Sequence, residues 1–344
     1  MSGAPANGAR AGSHLRDADA APATAAAAQP PAAILLPPLL SAFIARVRQE
    51  SPMHRGFLDQ ALLKLTRDER GELEGYLAFC AARDLSIDHL AKCYRTVVAD
   101  ALREQLYFQR HGRYRYTSFA DVARHVYFDR EYMSFHLYGL ALSAYLWPNH
   151  LELFRFFRET LPKDRRGRYL EIGPGHGYFF RNAIELSRYD SFLGVDVSET
   201  SIQQTRDLVA HDATGRAADV RLECLDFLDA KFPEDGFDAI VMGEVLEHVE
   251  QPEHFLRRIA ALARGDCFIF VTTCINAPAI DHIYLFRDLA EVKALFDSCG
   301  FHIRQERICP HAGKSVDECL AGRYAINVGY VLESTRTPVQ EGSP

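Results

Sequence analysis

A glycine-rich run in the middle of the chain carries the strongest chemical signal of the sequence. Glu171 lies in an apolar stretch, and Gly173, Gly175 and Gly177 follow it at alternate positions. Glycines let the backbone adopt positive φ and approach a ligand closely, while the helix predicted to follow offers unpaired N–H groups. A dinucleotide-binding fingerprint would have Gly or Ala where this chain has Tyr178. The run therefore predicts a cofactor site and disfavours a nicotinamide oxidoreductase.

Two acidic residues follow the glycines, and each lies at the end of a predicted strand. Asp196, about 20 residues beyond the glycines, is placed to accept both hydroxyls of an adenosine ribose. Asp226 is placed to accept from an adenine amino group, with the backbone and ring of Phe227 beside the base. A carboxylate at a strand end is also typical of a turn or a cap, and that alternative stays open for Asp226. Together the two positions favour a nucleoside cofactor.

Carboxylates and imidazoles follow the fourth predicted strand. Glu244, Glu247 and His248 lie close together there, and His282 comes after the fifth predicted strand. These are ligand types for a divalent cation such as Mg²⁺ or Mn²⁺, although Glu and His can equally pair with each other or line a cofactor pocket. Because imidazole accepts a proton near neutral pH, His248 and His282 are the candidates for a general base. Glu244 would orient that imidazole, so these three residues form the predicted catalytic set.

Hydrophobic periodicity predicts the elements that must position these residues. Residues 1–36 are dominated by Ala, Pro and Gly, and we expect a disordered tail there. Across 37–162 the apolar residues recur near a 3.6 period, which predicts four to seven helices in a domain that covers the site, binds substrate or mediates dimerisation. Tyr132, His136 and His150 are polar-tipped members of an aromatic stretch that either packs as core or lines a substrate pocket.

The second half of the chain has a different pattern of hydrophobic residues. Across 163–335 short apolar runs alternate with amphipathic segments, which predicts an α/β domain with helices on both faces of a mostly parallel sheet. The last two strands are expected to form a hairpin with no helix between them, and 336–344 a flexible tail. The seven predicted strands cover 168–172, 192–197, 219–224, 237–243, 267–274, 301–308 and 324–332.

Taken in order, these motifs resemble those of class I methyltransferases, the seven-stranded, Rossmann-like enzymes that use S-adenosylmethionine. The resemblance covers about residues 165–333 and implies a sheet in the order 3-2-1-4-5-7-6, with strand 7 antiparallel. The motifs that carry it are residues 171–177, Asp196, Asp226 with Phe227, and residues 237–241.

The resemblance also implies a role for each motif. Glu171 and the glycine loop would hold the methionine end of S-adenosylmethionine, Asp196 its ribose, and Asp226 with Phe227 its adenine. The E-x-x-E-H pattern at 244–248 is similar to one in metal-dependent ubiquinone-pathway O-methyltransferases and in small-RNA 2′-O-methyltransferases, and His282 would be the later His of the RNA enzymes. By that similarity Glu244, Glu247, His248 and His282 form a metal site. The same pattern also occurs in many metal-free members, so both interpretations stay open.

Composition narrows the substrate class. The formal net charge is -7 over 344 residues and the chain shows no basic patch, which disfavours nucleic acid. Eight cysteines form no CxxC pair and indicate reduced thiols in a cytoplasmic protein, and the apolar stretch at 32–45 is too short to span a membrane. We therefore expect O-methylation of a small secondary-metabolite or quinone-like acceptor, with a homodimer formed through the N-terminal helices. The alternatives are a metal-dependent RNA 2′-O-methyltransferase and a catalytically silent scaffold with the same fold.

Overall fold

The computed structural model describes residues 35–211 and 219–335. The predicted tails at 1–36 and 336–344 lie outside the described residues, apart from residues 35 and 36. From Leu36 onward the described chain packs into one compact unit. The division near residue 162 into a helical domain and a sheet domain stays a prediction.

Seven α-helices precede the sheet in the part of the chain that the structure describes, as the hydrophobic periodicity predicted. A short 3₁₀ helix, Pro52–His54, lies between the first two. The α-helices are α1 (Pro38–Glu50), α2 (Arg55–Lys64), α3 (Arg67–Ala81), α4 (Ile87–His111), α5 (Phe119–Ala123), α6 (Arg130–Leu146) and α7 (Pro148–Thr160).

Local sequence signals set where these helices begin and how closely they pack. α3 begins with a capping box, in which the Thr66 hydroxyl accepts from the Glu69 N–H and the Glu69 carboxylate accepts from the Thr66 N–H. The Ser86 side chain caps α4 in a similar way. α4 and α6 cross at Gly139, where an added Cβ would lie 2.6 Å from the Cys93 carbonyl oxygen. The absence of a side chain at this position therefore allows the two helices to touch.

Seven strands of the described chain form one sheet, in the order β3-β2-β1-β4-β5-β7-β6. β1 to β5 pair in parallel, and β7 runs antiparallel between β5 and β6. This confirms the predicted fold class and strand order. The strands are β1 (Arg168–Ile172), β2 (Ser191–Asp196), β3 (Asp219–Cys224), β4 (Phe237–Gly243), β5 (Ala263–Ile275), β6 (Phe301–Pro310) and β7 (Ile326–Ser334). The helices between them are α8 (Tyr178–Leu186), α9 (Glu199–His211), α10 (Pro252–Leu262), α11 (Leu289–Ser298) and α12 (Val316–Gly322).

The connection between β6 and β7 differs from the prediction. The helix α12 lies there, so the expectation of a hairpin without a helix was wrong, although the two strands do pair antiparallel. Ser315 and Glu318 form the capping box that begins α12, and Cys319 is its buried residue. Seven residues with one buried side chain give too little periodicity to stand out in a sequence. β5 also begins earlier than predicted, at Ala263 rather than at 267.

Both faces of the sheet are covered, and the N-terminal helices contribute to one of them. Phe156 and Phe157 of α7 pack against Phe270 of β5, with ring centroids 5.7 and 5.2 Å apart. Leu256 of α10 and Phe296 of α11 belong to the core on the other face. The carboxyl ends of β1, β2, β4 and β5 therefore meet at one edge, which is where open α/β sheets bind ligands. None of the described helices is long and apolar enough to cross a membrane.

Candidate active site

The glycine loop joins β1 to α8, and its backbone requires glycine. Gly173, Gly175 and Gly177 have φ values of +68°, +54° and +84°, a region that residues with a Cβ rarely adopt. A Cβ on Gly173 would lie 2.7 Å from Val245 Cγ2, whereas beside Gly175 the nearest atom is the Gly173 oxygen at 3.9 Å. The loop is thus tight where it meets the sheet and open beside Gly175, which fits a cofactor that lies along its backbone.

Asp196 lies at the end of β2, next to this loop. Its Oδ1 accepts a hydrogen bond from the Ser198 N–H at 2.8 Å, and the Gly175 N–H and the Ser201 hydroxyl near the carboxyl also favour its ionised form. Burial raises the pKa of Asp196 to about 6, against the effect of these hydrogen bonds. The Ser198 N–H orients the carboxylate, and the influence of the Gly175 N–H places it beside the open part of the loop, where the hydroxyl donors of a ribose would fit.

Glu171 is placed differently from what its predicted role suggests. The side chain is 1% exposed and accepts a short hydrogen bond from the Tyr169 hydroxyl, two residues back along β1. Burial raises the pKa of Glu171 to about 8, so the group is largely protonated near neutral pH. Its contact with the methionine end of the cofactor stays a prediction.

The two residues predicted to bind adenine, Asp226 and Phe227, follow β3, and their side chains differ in exposure. Asp226 is exposed, and its Oδ1 accepts from the Leu228 N–H at 2.8 Å, which is a turn of the kind that the sequence left open. Phe227 is 3% exposed and packs into the core against Phe232 and Phe255. Little of its ring surface is left for a base, whereas the Asp226 carboxylate remains accessible at the sheet edge. Contact of either residue with adenine stays a prediction.

Two buried carboxyls follow β4. Glu244 has a φ of +52°, its N–H donates to the Thr272 carbonyl at 3.1 Å, and its Oε2 accepts from Asn327 Nδ2 at 3.0 Å. Glu247 is fully buried, and its Oε2 accepts from the Thr273 hydroxyl at 2.7 Å. Burial raises the pKa of both carboxyls, and the neighbouring Glu244 raises that of Glu247 further. Burial and the proximity of the two carboxyls therefore both disfavour their ionised forms.

A cluster of polar rings surrounds Asp281, in the loop after β5. We call it the Asp281 cluster; its members are Tyr127, His136, His248, Asp281 and His282. The Tyr127 hydroxyl donates to Asp281 Oδ2 at 3.2 Å and lies 2.9 Å from His248 Nδ1. His248 Nδ1 is also 3.1 Å from the Asp281 carbonyl oxygen and 3.4 Å from Oδ2, and His136 Nε2 is 3.9 Å from Oδ2. Burial alone would raise the pKa of Asp281, but the three imidazoles hold it at about 2. An anion is therefore buried among the candidate bases.

Sequence reasoning singled out the three histidines of this cluster but assigned no role to Tyr127 or Asp281. Asp281 stands next to His282 in the chain, and that adjacency was the available signal. Tyr127 is 121 residues from His248, and only the packing of the N-terminal helices on the sheet brings the two together.

The two candidate bases differ in their surroundings. The His282 Nδ1 lies 2.5 Å from the Ala277 carbonyl oxygen, and burial lowers the pKa of His282 to about 3. The ring is perpendicular to that of His248, with centroids 4.7 Å apart. His248 keeps 17% of its side chain exposed and has the Asp281 carboxylate beside it. His248 is therefore the better placed of the two to take up a proton.

The predicted metal ligands do not form one donor set. In the described residues, two groups of three potential ligands have their ligand atoms within 4.8 Å of one another, and Glu244 belongs to neither. The groups are His248, Asp281 and His282, and Glu247, Cys274 and His282. Each offers one carboxylate beside nitrogen or sulfur, whereas Mg²⁺ and Mn²⁺ prefer oxygen ligands. The arrangement does not fit such a cation, and metal use stays a prediction.

Of the three polar-tipped aromatic residues singled out in the helical segment, two reach this site. Tyr132 stacks on His136 with centroids 5.8 Å apart and donates to Asp100 Oδ2 at 2.6 Å. His136 is 6% exposed, and its Nδ1 is buried without a hydrogen-bond partner among the described residues. His150 instead lies beside Ser143, at 3.3 Å, and burial lowers its pKa to about 4.

Part of the chain is similar in sequence to known methyltransferases. Residues 170–269 match a protein family described as "Methyltransferase domain". The chain is 31% identical over 150 residues to the ubiquinone biosynthesis O-methyltransferase of Neisseria meningitidis serogroup C, a match that covers 43% of this chain and 60% of that protein. It is 24% identical over 197 residues to ajmaline N-methyltransferase of Rauvolfia serpentina, covering 55% and 61%. A solved structure of an S-adenosylmethionine-dependent methyltransferase from Leishmania major has a TM-score of 0.46 at 16% identity, covering 62% of this chain and 82% of that one.

The sheet order, with β7 antiparallel, is that of the class I methyltransferase fold, and the glycine loop after β1 and the carboxylate after β2 lie where the sequence predicted a nucleoside cofactor. The family match covers residues 170–269, so the part of the chain from β1 into β5 is similar to a methyltransferase domain. The chain spans about three fifths of the length of the curated relatives that it matches.

Proposed function

We propose that the protein transfers a methyl group from S-adenosylmethionine to a hydroxyl oxygen of a small, partly apolar acceptor. The observation that carries the proposal is the position of His248. Its ring is partly exposed beside a buried anion, at the same sheet edge as the glycine loop and Asp196. A hydroxyl acceptor must lose a proton as it takes the methyl group, and this site provides a base for it.

The cofactor, when bound, supplies a methyl group activated by its positive sulfur. The residues of the chain mainly bind, align and deprotonate. The glycine loop and Asp196 would hold the nucleoside, and His248 Nε2 would take the hydroxyl proton while the oxygen bonds to the methyl carbon. The bound cofactor would supply the leaving group, a neutral sulfide that keeps the electrons of the carbon–sulfur bond, and the Asp281 carboxylate would stabilise the imidazolium on His248.

The apolar side of the acceptor site comes from a cluster that combines both parts of the chain. Side chains of α5, the following turn and α6 pack there against a residue of the loop after β5. Such a wall excludes water and matches an apolar ring or chain. Its buried members are Val122, Val126, Met133, Leu137 and Ile283. On this basis we propose that the helical segment 37–162 covers the site and selects the acceptor, whereas homodimer formation through it stays a prediction.

Methyl transfer assays with paired acceptors test the proposal. Purified full-length protein is incubated with methyl-labelled S-adenosylmethionine and with matched phenols and aryl amines of the same carbon skeleton, and products are identified by mass spectrometry. We expect the phenols to be methylated, and His248→Gln to reduce that rate by about 10²- to 10⁴-fold. The exposed His254→Gln, on α10, is the control and should have no effect.

An amine acceptor is the second candidate, because ajmaline N-methyltransferase is among the relatives. A neutral amine carries its own lone pair and needs no base before it attacks. Methylation of the amines alone, with full activity in His248→Gln, would therefore refute O-methylation and support N-methylation.

A further inference from the structure

The hydrogen bonds around His248 determine which ring nitrogen carries the proton. The Asp281 carbonyl oxygen, 3.1 Å from Nδ1, can only accept. Asp281 Oδ2, 3.4 Å from Nδ1, accepts from the Tyr127 hydroxyl at 3.2 Å and is therefore also an acceptor. The Tyr127 hydroxyl has one proton: when it donates that proton to Oδ2, it presents its oxygen to Nδ1, 2.9 Å away. A proton on Nδ1 therefore satisfies the carbonyl oxygen, the carboxylate and the hydroxyl at once, whereas a bare Nδ1 could be matched only if the hydroxyl proton turned away from Oδ2.

We propose that Tyr127 and Asp281 are positioning residues that hold neutral His248 with its proton on Nδ1, so that Nε2 keeps its lone pair for the acceptor hydroxyl. The proposal rests on the proposed O-methylation. It assigns to Tyr127, in the N-terminal helical segment, a role in the chemistry of the sheet domain. Tyr127 and Asp281 act through His248 and do not touch the reacting atoms.

The segment that carries Tyr127 is anchored at a second point. The Phe119 N–H, at the start of α5, donates to Glu250 Oε1 at 2.9 Å. Val122 and Val126 pack with Ile283, two residues after Asp281. α5 and the turn between α5 and α6 are therefore tied to residues two positions after His248 and two positions after Asp281. These ties hold the Tyr127 hydroxyl in hydrogen-bonding geometry.

The tautomer of His248 is a direct readout of this arrangement. We would label the full-length, chelator-treated protein with ring-¹⁵N histidine and record long-range ¹H–¹⁵N correlations, assigning His248 by the signals lost in His248→Gln. We expect a protonated Nδ1 and an unprotonated Nε2 in the wild type. Tyr127→Phe and Asp281→Asn should each move the ring toward a mixture of tautomers, because neutral imidazole in water favours the proton on Nε2. A wild-type ring with its proton on Nε2 would overturn the proposal without any variant.

Kinetics provide the second readout. Tyr127→Phe and Asp281→Asn should lower kcat by about 10- to 10³-fold while KM and the affinity for S-adenosylhomocysteine change by less than about threefold. The matched controls are Tyr107→Phe, on α4, where the ring packs against His111 and Arg115, and the exposed Asp229→Asn; neither should change kcat or the tautomer. Unchanged kcat in both test variants would refute the positioning role. The NMR spectrum requires no turnover, so the two proposals can fail separately. The absence of O-methylation activity would refute the proposed function, whereas the spectrum alone decides which nitrogen of His248 carries the proton.

Discussion

Replacing Glu171 by Gln should stabilise the protein increasingly as the pH rises. Burial raises the pKa of Glu171 from an ordinary value of 4.5 to about 8, so between these pH values the folded protein keeps a proton that the unfolded chain releases. The stability linked to this proton is complete below about pH 4.5 and is lost as the pH rises through 8. Each pH unit in this window lowers the free energy of unfolding of the wild type by ~1.4 kcal/mol. The Glu171→Gln variant has no such proton, so the difference between the variant and the wild type should grow by about 3 kcal/mol between pH 5.5 and pH 8.5.

Urea denaturation of both proteins at pH 5.5, 7.0 and 8.5 measures this difference. The exposed Glu234→Gln is the control and should differ from the wild type by the same small amount at every pH. The affinity of Glu171→Gln for S-adenosylhomocysteine tests the predicted contact with the methionine end separately: an unchanged affinity would rule that contact out and would fit a carboxyl that is 1% exposed and bonded to Tyr169. A difference in stability that does not change with pH would refute the protonated, buried state of Glu171. A large loss of affinity would show that the side chain reaches the cofactor.

The remaining predictions concern the cofactor site and the helical core. Asp196→Ala should weaken S-adenosylhomocysteine binding by about 100-fold, because two charge-assisted hydrogen bonds of roughly 1.5 kcal/mol each would be lost; calorimetry that gives unchanged affinity would rule out the ribose assignment. Since the pKa of Asp196 is about 6 and the ionised form accepts from the ribose, wild-type affinity should fall by about tenfold between pH 7.5 and pH 5. Gly139→Ala should destabilise the protein by about 1–3 kcal/mol, because the new Cβ would lie 2.6 Å from the Cys93 oxygen. Gly71→Ala on α3, with nothing within 4 Å, is its control and should stabilise slightly in thermal denaturation; equal effects of the two variants would contradict the close helix crossing.

The sheet could be predicted from the sequence because its signals are local and repeated. Buried parallel strands such as β4 are continuous apolar runs, and the glycines after β1 mark a turn that other residues rarely adopt. The helix α12 was missed because its one buried residue, Cys319, gives no periodicity. The early start of β5 at Ala263 was missed for a related reason, since its first residues are polar or exposed.

The composition of the site could be predicted only in part. His248 follows a strand end, so its place at the ligand-binding edge follows from the motif. The roles of Asp281 and Tyr127 depend on distances between segments that are far apart in the chain, which no local pattern contains. The roles of Glu171 and Phe227 depend on how deeply each side chain is buried. The sequence shows that one is acidic and the other aromatic, but not that both are enclosed in the core.

Calorimetric titration of chelator-treated, full-length protein with S-adenosylhomocysteine, with and without added Mg²⁺ or Mn²⁺, tests the central claim most directly. We predict binding that is tight and independent of the metal, because the glycine loop and Asp196 form the nucleoside site without one. Binding that requires the metal would contradict our description of the site and would favour a metal role for Glu244, Glu247, His248 and His282. The absence of binding under either condition would contradict the methyltransferase account as a whole and would favour a scaffold that keeps only the fold.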